Sequence, residues 1–204
     1  MELADDAATL ARLHDRELDA AALAVLREIR FPDNLALLPQ TAEAKTAWAA
    51  MRVAVSPAPT FPDLDALAVE YAAIYLTGAY GASPCESVWL DEDHLICQQP
   101  MFELRAIYQA TGLAAADWRK RPDDHLVLQL HYIAHELSRA ATTDFSPQTL
   151  GQMMDDHLLR WLPAFAARVA ARTTLPFYAA LAHLTLAWCL TLRSVLDEPV
   201  RKIA

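Results

Sequence analysis

Four glycines in 204 residues constrain this chain more than any other feature. Tight hairpins and bulges draw on residues that tolerate positive φ, glycine above all. A many-stranded sheet of this length would need more of them. The chain offers instead twelve prolines and a composition that is 54% hydrophobic and rich in alanine and leucine. Helices interrupted by proline-marked loops fit that supply. The expected fold is all-α, one domain over residues 1–204, a helical bundle large enough to bury a core without disulfides or metals.

Hydrophobic periodicity places the helices. Leu18, Ala22, Val25 and Ile29 form one face of a helix ending before Phe31-Pro32. A segment over 41–55 follows and stops at the proline-rich stretch 56–62, a hinge candidate. Asp63 suits the N-cap of a helix carrying Leu64, Leu67, Ala68, Tyr71 and Tyr75 and ending at Gly78. Residues 79–99 show no sustained period and read as a long ordered loop with a short helical turn. A helix from near Pro100 ends at Thr111-Gly112, and Pro122 suits the first turn of the next. That helix carries the stripe Leu126, Leu130, Ile133 and Leu137. Ser146-Pro147, Leu162-Pro163 and Leu175-Pro176 each open a further one, the last carrying Phe177, Leu181, Leu184, Trp188 and Leu192.

The net charge is −9, from 26 acidic and 17 basic residues. A nucleic-acid backbone needs clustered Lys and Arg, so no nucleic-acid partner is expected; a basic peptide is compatible. Three cysteines without a CxxC pair point to a reducing compartment. The acidic N-terminus lacks the pattern of a signal peptide. The C-terminal apolar run is interrupted by His183, Thr185, Thr191 and Arg193, so no stable membrane insertion is expected and the cytoplasm is the default. No GxxxxGK[ST], GxGxxG or GxSxG motif is present, no cofactor is implied, and a Cys85/His94 pair rests on proximity in sequence alone.

Two segments carry candidate chemistry. On a helix starting near Pro122, Asp124, His131 and His135 project within about 40° of one another, opposite the apolar stripe. Two His at i, i+4 and a carboxylate suggest a divalent metal, although Asp124 would sit roughly 10 Å from His131 along the axis. Alternatively Asp123 and Asp124 occupy the positive helix start, and His125 continues through Gln129, Tyr132 and Glu136 as a polar groove edge. An Asp-His pair there suits a guanidinium, or ordinary helix capping. The second segment is the loop SPCESVWLDED, where Trp89 and Leu90 are apolar and Asp91, Glu92 and Asp93 acidic. Apolar anchors rimmed by carboxylates match a basic, partly hydrophobic peptide; Trp89 also suits a core plug.

Three blocks, YAAIYLTGAYGASPCESVWLDED, RPDDHLVLQL and PFYAALAHLTLAW, together resemble the TorD/DmsD family of redox-enzyme maturation chaperones over about residues 71–188. The resemblance implies an all-helical, non-catalytic cytoplasmic protein. It also implies binding of the twin-arginine signal peptide of a molybdopterin oxidoreductase precursor, held until its cofactor is inserted. Asp124 and His125 fall on the family's Asp-His pair, with Pro122 beside them. Tyr75, Leu76, Gly78, Pro84, Ser87, Trp89, Leu90 and Asp91 fall on the loop side of its peptide groove. Arg121 stands where the family usually carries Glu, and Cys85 and Glu86 replace commoner residues. The competing readings are a metal-dependent hydrolase using Asp124, His131 and His135, and a helical scaffold without leader binding.

Overall fold

A computed structural model describes residues 2–57, 63–140 and 145–197, so most of the hinge candidate at 56–62 lies outside the described residues. All regular structure among the described residues is helical. The first element, α1 (Glu2–Asp15), is one that the hydrophobic pattern does not mark. Its buried face is largely alanine, with Ala4, Ala7, Leu10, Ala11 and His14 turned inward. Small side chains give a weak periodic signal but allow close approach, and α1 lies along α7 (Leu126–Ser138).

Caps set the next boundaries. Asp19 accepts the Ala22 N–H at 2.7 Å and starts α2 (Ala20–Glu28). Leu18 therefore precedes the helix, and the expected face of Leu18, Ala22, Val25 and Ile29 does not form. Leu23 and Leu26 meet the core, while Val25 and Ile29 are exposed. Thr41 caps α3 (Ala42–Val55), and Asp63 caps α4 (Leu64–Tyr71). The latter runs into a π-helical segment, Ala72–Leu76, and stops near Gly78, whose φ of +67° suits glycine. A short α5 (Ser87–Leu90) is the helical turn expected in the long loop, and α6 (Gln99–Ala110) ends before Gly112 at φ +78°.

The stripe of Leu126, Leu130, Ile133 and Leu137 is buried on α7. The helix itself begins four residues after Pro122. Ser146 caps α8 (Pro147–Met153), which passes through a second π segment, Met154–Leu158, into α9 (Leu159–Arg172). Pro163 opens no new helix but sits inside α9. The π segment changes the hydrogen-bond register just ahead of it, where proline's missing donor must be absorbed.

Last comes α10 (Pro176–Asp197), packed against α3 and α9. Phe177, Leu181, Leu184, Trp188 and Leu192 are buried there, alongside Trp161 and Phe165 of α9. By length and composition α10 could cross a membrane, which corrects the expectation that its polar residues interrupt the run. Its hydropathy is that of a helix at the centre of the bundle, and one interrupting residue, Thr185, is itself buried and bonded to His14.

Candidate functional site

Asp123, Asp124 and His125 lie before α7, in a turn closed by the His125 N–H on the Pro122 carbonyl at 3.0 Å. Aspartate side chains compete for nearby backbone and charged partners, and both aspartates here find partners outside a helix. Asp123 holds the Arg105 guanidinium through Nε at 3.1 Å and Nη2 at 2.8 Å. Its carbonyl accepts the Tyr108 hydroxyl. His125 is the N-cap, with Nδ1 accepting the Val127 N–H at 3.1 Å. Burial lowers its pKa to about 3, and Arg121 pushes the same way. Arg121 in turn pairs with Asp15 at the end of α1.

Asp124 is fully buried. Its Oδ2 accepts the Ser87 N–H at 2.8 Å at the start of α5, and its Oδ1 has no partner in the structure. Burial raises its pKa, while the Ser87 bonds oppose the rise. Three further backbone links fasten the loop to this turn. The Leu126 N–H donates to the Pro84 carbonyl at 2.8 Å, the Glu86 N–H to the Asp124 carbonyl at 3.2 Å, and Cys85 bridges His125 antiparallel. The Ser87 hydroxyl accepts the Gln98 N–H and ties down the loop's far end. Trp89 is partly buried; its indole donates to the Ser83 carbonyl at 2.8 Å and Arg168 lies 5.8 Å over its ring. Leu90 is also partly buried, and Asp91 Oδ2 accepts the N–H groups of Asp93 and Leu95.

Beneath the loop sits a buried polar network that sequence reasoning missed. Glu86 accepts from Gln129 Nε2 at 3.0 Å and meets His157 Nδ1 at 2.9 Å, all three side chains being buried. Burial raises the Glu86 pKa, and His157 opposes it. A signal existed, because the chain holds Asp-Asp-His twice, at 123–125 and 155–157. The second copy spreads outward and inward, Asp155 pairing with Arg193 while His157 turns to Glu86. His157 sits on one π segment and Tyr75 on the other. The Tyr75 hydroxyl lies 2.6 Å from Nδ1 of the buried His14, whose Nε2 lies 2.8 Å from Thr185 Oγ1. Burial lowers the His14 pKa to about 3, and His125 adds to the shift.

Thus Pro84, Ser87, Pro122, Asp124 and His125 come together at one joint, while Tyr75 is bonded to the buried His14 rather than to any of them. Leu76 and Gly78 are exposed where the π segment ends, and Leu76 is 69% exposed. The groove edge expected from Gln129, Tyr132 and Glu136 does not exist as a surface, since all three are buried. Asp124 is turned to Ser87 while His131 is exposed, and among the described residues no three His, Cys, Asp or Glu side chains are grouped to hold a metal. Cys85 is buried with its thiol pKa pushed up, while the His94 ring bonds the Val88 carbonyl, so they form no dyad.

Comparison with known proteins gives one family and a consistent set of relatives. Residues 37–167 match the family described as nitrate reductase delta subunit. A chaperone protein TorD of Vibrio cholerae serotype O1 is 29% identical over 143 residues, covering 67% of this chain and 64% of that protein. A chaperone protein TorD of Photobacterium profundum is 28% identical over 160 residues and 74% of each chain. One of Shewanella piezotolerans is 34% identical over 131 residues, 60% of this chain and 58% of that protein. The chain spans less than two thirds of the length of the Vibrio cholerae relative that it matches.

Proposed function

We propose, since the chain belongs to the nitrate reductase delta subunit family, that it is a non-catalytic cytoplasmic chaperone of the TorD kind. In this reading it acts as one domain and binds the twin-arginine leader of a molybdopterin oxidoreductase precursor before export. One structural observation carries the reading beyond its relatives' names. The loop between the first π segment and α6 is fastened to the Asp124-His125 turn and holds carboxylates beside exposed apolar residues. A leader has a positively charged segment and, after it, an apolar one. The carboxylates of Asp91, Glu92 and Asp93 suit the arginines, and the neighbouring apolar surface suits the leader's apolar segment.

Asp124 has a different part in this reading from that of an exposed ligand. Its Ser87 bond makes it the anchor that fixes the loop, with His125 capping the helix on which the loop rests. An exposed ion pair contributes only about 0–1 kcal/mol, so apolar burial supplies most of the affinity and the arginines supply selectivity. Calorimetric titration with a synthetic twin-arginine leader, beside a control whose two arginines are lysines, tests the proposal. Micromolar or tighter binding that weakens in the control is expected. A folded protein that gives no binding signal with leaders from several molybdoenzymes would overturn it.

A further inference from the structure

Between α5 and α6 the chain makes a knuckle whose design runs against its own backbone preferences. His94 (φ +55°) and Cys97 (φ +60°) both occupy the left-handed region, where a side chain costs energy that glycine avoids. They bracket Leu95 and Ile96, which are 54% and 56% exposed. Two apolar side chains are therefore held out into water by a strained backbone. The strain is maintained by specific bonds. Asp91 Oδ2 accepts the Leu95 N–H at 3.2 Å, the His94 ring meets the Val88 carbonyl at 2.8 Å, and Gln98 Nε2 donates to the Ile96 carbonyl at 2.9 Å. Core burial cannot be what selects this shape, since neither side chain reaches the core.

We propose that Leu95 and Ile96 are the docking point for the apolar stretch of the leader peptide; this rests on the leader-binding reading above. Charge order selects the occupant. Glu92 and Asp93 are exposed and Asp91 partly so, and they precede the apolar pair directly in the chain. A peptide with cations followed by apolar residues matches carboxylates followed by Leu-Ile. A wholly apolar or acidic partner does not. The knuckle is also joined to the Asp124 anchor, because Gln98 donates its N–H to Ser87 Oγ and Ser87 donates its own to Asp124. Asp124 thus reaches the peptide through the backbone that presents Leu95 and Ile96.

The test is a titration of the full chain and of a Leu95→Ser/Ile96→Ser double variant with two peptides. One is a synthetic twin-arginine leader; the other keeps the arginines but has serines in place of the apolar stretch. Completing the burial of two half-exposed aliphatic side chains corresponds to roughly 10- to 30-fold in affinity. The double variant should lose about that much toward the intact leader, and the two proteins should not differ toward the serine peptide. Both should unfold cooperatively, with urea midpoints only slightly apart, since neither changed side chain belongs to the core. If wild-type protein binds the leader and the double variant binds it equally, the knuckle is not the docking point and the chaperone reading stands. If wild-type protein takes up no leader, both fall.

Discussion

Lowering the pH from 7 to 5 should cost this protein stability through His14. The ring is fully buried, with both nitrogens engaged by Tyr75 and Thr185, and burial holds its pKa at about 3. In the unfolded chain the same group titrates near 6.5. A folded pKa below the unfolded one means stability that is complete above about 6.5 and is lost as pH falls toward 3. At pH 5 the unfolded state takes up a proton that the folded state refuses. At 1.36 kcal/mol per pH unit below 6.5, the loss is about 2 kcal/mol. Three buried carboxyls work the other way. Burial raises the pKa of Asp6, Glu86 and Asp124, so each favours the folded state as the solution becomes acidic. The pH profile of the wild type alone mixes these contributions.

The difference between the wild type and His14→Gln isolates the histidine. Urea unfolding followed by tryptophan fluorescence at pH 7 and pH 5 gives the stability gap at each. The variant loses packing and hydrogen bonds at both, and that part of the gap cancels. The gap should narrow by about 2 kcal/mol at pH 5, a relative midpoint movement on the order of 1 M urea. His125 also titrates near 3 when folded, but it is present in both proteins. A gap that stays the same at the two pH values, to within about 0.5 kcal/mol, would show that His14 accepts a proton in the fold and would refute the reasoning.

Asp124→Ala should destabilise the protein by about 1–3 kcal/mol by leaving the buried Ser87 N–H without an acceptor, measurable by urea unfolding. Asp124→Asn keeps an acceptor and should preserve leader affinity in a titration that Asp124→Ala weakens; equal losses would assign Asp124 a role through its charge. Arg105→Ala leaves the buried Asp123 carboxylate unpaired and should cost roughly 3 kcal/mol, lowering the thermal midpoint by several degrees. His157→Ala should destabilise more at pH 7 than at pH 4.5, because protonation of Glu86, whose pKa is already raised, relieves the charge stranded by the change.

Where the sequence was legible, the signal was cooperative. The stripe on α7, the cap at Asp63, the helix start at Ser146-Pro147 and the stop at Gly112 each join a local preference to the burial of a face. Such features survive in a linear reading because the residues that cause them are three or four positions apart. α1 escaped because alanine is too weakly hydrophobic to mark a face, although it packs one closely. The start of α7 was misplaced for the opposite reason. Pro122 and two aspartates form a good local helix start. Their side chains are instead claimed by Arg105, 18 positions before Asp123, and by Ser87, 37 positions before Asp124. Such long-range partners override a capping preference worth about 1 kcal/mol.

The same distance in sequence explains why the candidate site was half legible. Asp124 and Ser87 stand out singly, but their bond reverses the meaning of Asp124. A carboxylate at an exposed helix start would face the ligand, whereas one buried against the amide of another segment fixes that segment's position. Burying Asp124 with one oxygen unpartnered is unfavourable for the fold alone. So is holding His94 and Cys97 left-handed to expose Leu95 and Ile96. Both costs fall on one loop, and the chain of bonds from Asp124 through Ser87 to Gln98 connects them. A loop that only linked α4 to α6 could avoid both with a glycine or two and an apolar residue at 124. Their joint presence argues that the shape and surface of this loop, rather than any single charged side chain, are what the site is built to present.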